Sequence, residues 1–243
     1  KIMSVWKVKQ EWMQKTVVVW FGALLCCLLW GSAFPCIKIG YRLFEVDAAD
    51  TASQILFAGC RFTLAGVLAA GIGSVMEGCF LRPERKAAKE IIWLSLLQTI
   101  IQYFFFYMGL AHTSGVKASI IEAVNVFIAI LVAGFLFHQE KITSRKITGC
   151  ILGFAGVVLI NLNGMNFQFS LAGEGAIFFS TIAYAFSSVF VKKFSQKFNP
   201  VMLSAYQFII GGIVLMAAGG VMGGHITKVT LSGIGLLVYL ALV

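Results

Sequence analysis

The stretch SIIEAVNVF, residues 119–127, sets Glu122 inside an otherwise apolar run, with Ser119 and Asn125 three residues to either side. That spacing places a hydroxyl, a carboxylate and an amide on one face of a helix. A second ionisable side chain, Arg61, interrupts the apolar run 55–76. Both groups lie six residues in from the same side of their segments, roughly 9 Å at about 1.5 Å per residue. Ionisable groups held that deep in apolar surroundings are costly unless paired or facing water, which makes them candidates for function. Three roles follow for Glu122: a structural ion pair with Arg61, a contact for an amino or cationic group of a solute, or exchange of a proton. Further polar groups recur at helical spacing in other apolar runs. Gln98 and Gln102 are four apart beside Tyr103; Ser180, Tyr184 and Ser187 follow one another by four and three; Trp30 and Ser32 lie in the first run. Amides and hydroxyls in an apolar medium require partners, so these stripes should point inward, as glue between helices or as walls of a cavity.

The elements that carry these residues follow from composition. Of 243 residues 59% are hydrophobic and 12% charged, too little polar surface to cover a water-soluble domain. The apolar residues fall into blocks near the roughly 20 residues a helix needs to cross a bilayer: Val17–Ile39, Ile55–Met76, Ile91–Thr113, Val116–Phe137, Ile147–Leu162, Gly175–Val191 and Val201–Gly223, with an eighth from Leu231. They are too long and too uniformly apolar for barrel strands. An all-α multi-pass membrane protein is expected. The eighth block stops at Val243 and the chain starts at Lys1, which reads as a fragment cut at both ends. The first block is too long for a signal peptide and lacks a small-residue cleavage site.

Basic residues alternate between sides. Those before span one, between spans two and three, and after spans four and six number 14 of 19, whereas the opposite loops hold Arg42 and Lys228 with Glu45, Asp47 and Asp50. The positive-inside rule then puts the N-terminus in the cytoplasm of a cell (inner or plasma) membrane protein. It also accounts for the net charge of +9 without nucleic acid, since no basic stripe is interleaved with exposed aromatics. The six cysteines include no CxxC pair, and His112, His138 and His225 have no metal-ligand spacing, so reduced thiols and no metal or other cofactor are expected. The segment around Trp6 and Trp12 reads as an interfacial amphipathic stretch, and Pro35 as a kink in span one. Glycines 149, 153 and 156, and Gly66 with Ala70, read as small-residue seams.

Internal repetition is visible. LLWGSAFPCIKI (28–39) aligns with IAYAFSSVFVKK (182–193) at an offset of 154, pairing Trp30 with Tyr184, Ala33 with Ser187 and Lys38 with Lys192. AGCRFTLAG (58–66) aligns with SAYQFIIGG (204–212) at an offset of 146, pairing Arg61 with Gln207, Phe62 with Phe208 and Gly66 with Gly212. Five spans separate the copies, and five is odd, so the second copy runs through the membrane upside down.

The segments LLWGSAFPCIKI and FAGCRFTLAGVL, and above all the run from Ser114 to Ile160, SGVKASIIEAVNVFIAILVAGFLFHQEKITSRKITGCILGFAGVVLI, resemble the EamA-like family of the drug/metabolite transporter superfamily. Within that run a small-residue-rich fourth helix leads to an acidic residue and a threonine, Glu140 and Thr143, and then to a glycine-led fifth helix with Gly149 and Gly156. The resemblance implies ten helices in two inverted five-helix repeats, 17–162 complete and 173–243 the beginning of the second, so that about seven and a half helices are present. A proline common in the family's fourth helix is replaced by Val126, leaving a kink there open.

Three function classes remain. A secondary transporter of small organic metabolites or drugs, amino acids or amines among them, accounts for the spans, the repeat, Glu122 and the absence of a GxxxxGK[ST] loop. A channel or scaffold needs neither inversion nor a buried carboxylate, and an enzyme would need a nucleophile–base or metal constellation that the sequence does not offer. The expected solute site comprises Glu122, Trp30, Gln98, Gln102, Asn125, Tyr184 and Ser187, with Arg61 as charge partner and a proton as a candidate coupling ion. The bilayer and a small molecule are the expected partners; the oligomeric state is open.

Overall fold

The computed structural model describes residues 16–47, 50–137, 142–161 and 170–243. The described residues form eight helical runs, one for each apolar block: α1 (Thr16–Leu43), α2 (Thr51–Glu77), α3 (Arg85–Leu110), α4 (115–136), α5 (Ser144–Asn161), α6 (Leu171–Phe194), α7 (Pro200–Val221) and α8 (Leu231–Leu242). No strand occurs among the described residues. Helices α1, α2, α3, α6 and α7 are long and apolar enough to cross a membrane. The interfacial segment around Trp6 and Trp12, together with His138 and Glu140, lies outside the described residues.

Local chemistry sets the helix starts. The Asp50 carboxylate accepts from the Ala52 and Ser53 amides at the head of α2, and Asn199 does the same for Val201 and Met202 ahead of Pro200 at the first turn of α7. Ser114 and Thr230 cap α4 and α8 through the Lys117 and Gly233 amides. Each cap satisfies amides that a helix leaves open at its first turn. The Ser53 hydroxyl, more than the backbone amides, holds the Asp50 carboxyl below its ordinary pKa. α2 ends on Gly78 at φ 66°, the left-handed geometry glycine adopts without penalty.

Antiparallel packing of α2 on α7 is the spine of the molecule. A Cβ built on Gly66 would come within 2.5 Å of the Ala205 carbonyl oxygen, and one on Gly212 within 2.9 Å of the Gly59 carbonyl oxygen. Adding the sequence offset of 146 to 66 gives 212, and adding it to 59 gives 205, so the two contacts are reciprocal. The rings of Phe62 and Phe208, themselves an offset pair, stack at 5.6 Å between them. Reciprocal contacts flanking a residue that meets its own mate are the pattern of an isologous, two-fold interface. The seam expected on α5 is different, because Gly149, Gly153 and Gly156 have nothing within 4 Å of a built Cβ among the described residues. Close approach occurs instead at Gly66 and its neighbours on α2 and α7, and where Gly109 of α3 meets Gly173 and Ile177 of α6.

Two helices depart from regular geometry where polar residues cluster, and a third carries a proline. α1 passes through Pro35 without ending. α3 contains a π-helical segment, Ser95–Ile101, immediately before Gln102. α4 is interrupted at Val124, between Glu122 and Asn125, where the Val124 amide bonds three residues back to Ile121 O at 3.0 Å and Phe127 N to Val124 O at 3.0 Å. The interruption needs no proline at Val126. Breaks and π segments inside membrane helices leave backbone groups open to a cavity or ligand and recur at functional sites.

Candidate solute site

α3, α4 and α6 meet around Glu122. Phe62 from α2 holds Tyr103 of α3 at a ring-centroid distance of 4.3 Å, and the α4 interruption turns Glu122 and Asn125 to the same side. Three cavities lie along these helices, neighbouring ones sharing lining residues. The first, about 70 Å³, lies among Ala33, Arg61, Gln102, Tyr103, Tyr107 and Glu122. A second of about 70 Å³ shares Gln102 and Glu122 with it and adds Asn125, Ser180, Thr181 and Tyr184. A third, about 360 Å³, shares Asn125 and Tyr184 and continues past Ala129, Ala133 and Ser188 to Lys192. From Glu122 to Ala133 is eleven residues of helix, about 16 Å of travel. The stripe Ser180, Tyr184, Ser188, Lys192 advances by fours along α6 beside it.

Polar groups on this path are under-bonded. Glu122 has neither a hydrogen-bond nor an ion-pair partner among the described residues, and Gln102 Oε1 and Asn125 Oδ1 are buried without a hydrogen bond. Buried acceptors are nearly always satisfied in folded proteins, so an open cluster in a cavity is where a ligand or water belongs. Arg61 lines the same cavity as Glu122 but does not pair with it. Its Nε donates to the Leu240 carbonyl of α8 at 3.0 Å, and its guanidinium carbon sits 5.3 Å from the Phe62 ring centroid.

The other expected residues separate. Gln98 accepts from Gln207 Nε2 at 3.2 Å and belongs to a buried α3–α7 contact that includes Thr99. Ser187 is fully buried and donates back to the Tyr184 carbonyl at 2.7 Å, a bond within its own helix. Ser32 of α1 bonds to the Tyr239 hydroxyl of α8 at 2.7 Å. Trp30 falls within α1, and its side chain lies outside the described residues.

Sequence reasoning missed an anchor at one end of the path. Lys117 Nζ lies 2.7 Å from Glu174 Oε1, with side-chain exposures of 17% and 8%; the Thr113 hydroxyl donates to the same oxygen at 2.7 Å and the Ser170 amide to Oε2 at 2.7 Å. This cluster ties the α3–α4 turn and the heads of α4 and α6 together. A lysine at a helix N-terminus opposes the helix dipole, and that mismatch in SGVKAS was the available signal for a nearby acid. Ser188 and Lys192 were likewise legible, as the i+4 continuation of Tyr184.

Comparison with known proteins agrees with this architecture. An Archaeoglobus fulgidus protein described as an uncharacterized transporter is 30% identical over 197 residues, covering 81% of this chain and 65% of that protein. Bacillus subtilis YvbV, also described as an uncharacterized transporter, is 27% identical, covering 79% and 59%. The S-adenosylmethionine/S-adenosylhomocysteine transporter of Chlamydia muridarum is 24% identical, covering 81% and 62%. The chain thus spans about three fifths of the length of these relatives. A solved crystal structure superposes with a TM-score of 0.64 at 18% identity, covering 87% of this chain and 75% of that one, a likeness of fold. Residues 18–162 and 171–243 match the description of one family, and the chain belongs to the EamA-like transporter family.

Proposed function

We propose that the protein is a secondary transporter, a permease that moves small organic metabolites across the cytoplasmic membrane by alternating access and leaves them chemically unaltered. The observation that carries this reading is the series of cavities along α3, α4 and α6, with the unpartnered Glu122, Gln102 and Asn125 at its narrow waist. Transporter sites lie at interrupted helices near the midplane, between repeats, and the breaks in α3 and α4 flank these residues. An N-terminus in the cytoplasm sets the Lys192 mouth on the cytoplasmic side, so the wide cavity opens inward and the narrow ones lie toward the outside, behind the Lys117–Glu174 cluster. Two inverted units, 17–162 and 173–243, are supported by the two family matches and the reciprocal glycine contacts of α2 and α7. Glu122 is the group for an amino function of the solute, or for a coupling proton; Gln102, Asn125 and Tyr184 are walls. The Chlamydia muridarum relative, named as an S-adenosylmethionine/S-adenosylhomocysteine transporter, supports a small organic metabolite as the solute.

The test compares intracellular and medium metabolites in cells expressing wild type, Glu122→Gln or Gln102→Ala, or carrying empty vector, at matched membrane levels. Wild type should shift one or a few solutes and saturate as their concentration rises. Glu122→Gln should lose about ten- to a hundredfold of that flux, the worth of a charge-assisted hydrogen bond, and Gln102→Ala several-fold with folding retained. An unsaturable leak would instead indicate a channel, and no shift in any solute would remove the transporter reading.

A further inference from the structure

The connection from α2 to α3 and the first turns of α3 carry Arg82, Arg85, Lys86 and Lys89, all four exposed. The backbone beneath them is pinned. The Leu81 amide donates to Ser74 Oγ and the Tyr206 hydroxyl to the Leu81 carbonyl, both at 2.9 Å, and Leu81 and Ala87 share a buried cluster with Met202 and Leu203 of α7. A pinned connection holds its charges at one corner of the molecule. None of the four side chains has a hydrogen bond, ion pair or ring contact among the described residues. Two of the nearby acids are turned elsewhere, Glu77 accepting from Asn199 at the head of α7 and Glu90 carrying a buried oxygen; Glu84 is the exposed acid beside the four cations. The basic residues between α6 and α7 differ, since Lys192 lines the wide cavity and Lys193 lies 5.9 Å from the Phe137 ring centroid.

Below the charges the surface turns apolar and stays exposed. Arg85, Lys89 and Trp93 step by fours along α3, which puts them on one face, with Ile92 and Leu96 beside them. Trp93 is 54% exposed, Ile92 57% and Phe80 of the connection 70%. Cations one turn above an exposed tryptophan match a bilayer interface, the charged groups at headgroup level and the indole beneath them. Acyl chains can cover the apolar part. The charges are what discriminate, because a zwitterionic headgroup brings as much positive charge as negative, whereas an anionic one brings a phosphate with no cation of its own.

We propose that this corner binds an anionic phospholipid of the cytoplasmic leaflet, its phosphate among Arg82, Arg85, Lys86 and Lys89 and its chains along Ile92, Trp93 and Leu96. The proposal rests on a cytoplasmic α2–α3 connection and is independent of the solute.

The test titrates the purified full chain with phosphatidylglycerol or phosphatidylcholine bearing the same brominated chains. Quenching at Trp93 is read as the difference in fluorescence with and without Trp93→Phe. In wild type at low salt, phosphatidylglycerol should quench at about a tenfold lower concentration or less, and the preference should shrink in molar salt. Arg85→Gln/Lys89→Gln should weaken phosphatidylglycerol by about twentyfold, roughly fivefold for each basic residue lost near an anionic surface, and leave phosphatidylcholine unchanged. Lys193→Gln/Lys197→Gln, an equal loss of charge, should keep the wild-type preference. Equal quenching by the two lipids in wild type would overturn the proposal, and that comparison decides even if a variant fails to fold. An unchanged preference in the Arg85 and Lys89 variant would also overturn it, as would an equal drop in the Lys193 and Lys197 variant, which would reduce the effect to net charge. Displacement of phosphatidylglycerol by glycerol 3-phosphate at matching concentration would make the ligand a soluble phosphate and overturn it as well. A kept lipid preference in a protein that shifts no solute in cells would support this surface and strike the transporter reading alone.

Discussion

Gly212→Leu is expected to abolish stable folding. A Cβ at this position would stand 2.4 Å from Thr63 Oγ1, 2.5 Å from Thr63 N and 2.9 Å from Gly59 O. Two of those three atoms are backbone, so no rotamer change relieves the clash and α2 and α7 must separate. Separation would also strip contact from Gly66, which lies 2.5 Å, measured from a built Cβ, from Ala205 O at the reciprocal end of the seam. Overpacking a close-packed interface costs about 1–3 kcal/mol and occasionally more, and a side chain as long as leucine against backbone belongs at or above the upper end. Gly149→Leu on α5, where a built Cβ meets nothing within 4 Å among the described residues, is the control and should leave folding intact. The check is the yield of monodisperse protein in detergent and its thermal midpoint. A normal yield of Gly212→Leu would mean that α2 and α7 do not meet as described.

Lys117→Met should be the next most damaging change, lowering stability by about 1–3 kcal/mol, the cost of leaving a half-buried, hydrogen-bonded charge without its partner. The variant leaves Glu174, 8% exposed in its side chain, charged beside the Thr113 hydroxyl and the Ser170 amide alone. Most of the cost is the stranded carboxylate and not the lost attraction, so the double variant Lys117→Met/Glu174→Met should recover much of the stability, with a coupling energy visible in a double-mutant cycle. Thermal unfolding of the four proteins measures it. Additive losses would show that Lys117 and Glu174 do not act on each other. The exposed pair Lys228–Glu45, at 57% and 53% side-chain exposure, should show the contrast, a coupling of about 0–1 kcal/mol.

How much of this could be read from sequence depends on what kind of signal each feature leaves. Helix positions were legible because the bilayer imposes a length and a composition on every span, and each of the eight apolar blocks is a helix. Glu122, Gln102, Asn125 and Tyr184 were legible because a polar group in an apolar run has few places to go, and all four line the adjoining cavities. Arg61 was found by the same rule, but its partner was not: whether two buried charges meet depends on the rotation of α2 against α4, which spacing along one helix does not encode. Gln98 and Ser187 bond away from these cavities for a related reason. A polar side chain one helical step from the cavity stripe satisfies itself on a neighbour or on its own backbone, and i+3 and i+4 choices from Tyr184 look alike until the packing selects Ser188 over Ser187. The interruption at Val124 left no mark of its own, since no proline or glycine stands there.

The central claim is that solute and water reach Glu122 along the α4–α6 groove. A version of the protein with its six cysteines replaced, carrying Asn125→Cys, Ala129→Cys or Ala133→Cys one at a time, can be challenged with a small charged methanethiosulfonate in open membrane preparations. Leu159→Cys on α5, whose native side chain is 66% exposed away from the cavities, serves as the lipid-facing reference. All three groove cysteines should be modified, with transport lost as they are, while the cysteine at position 159 stays unreactive. Groove cysteines as inert as the one at 159 would mean that the cavities joining Lys192 to Glu122 are not a path for solutes.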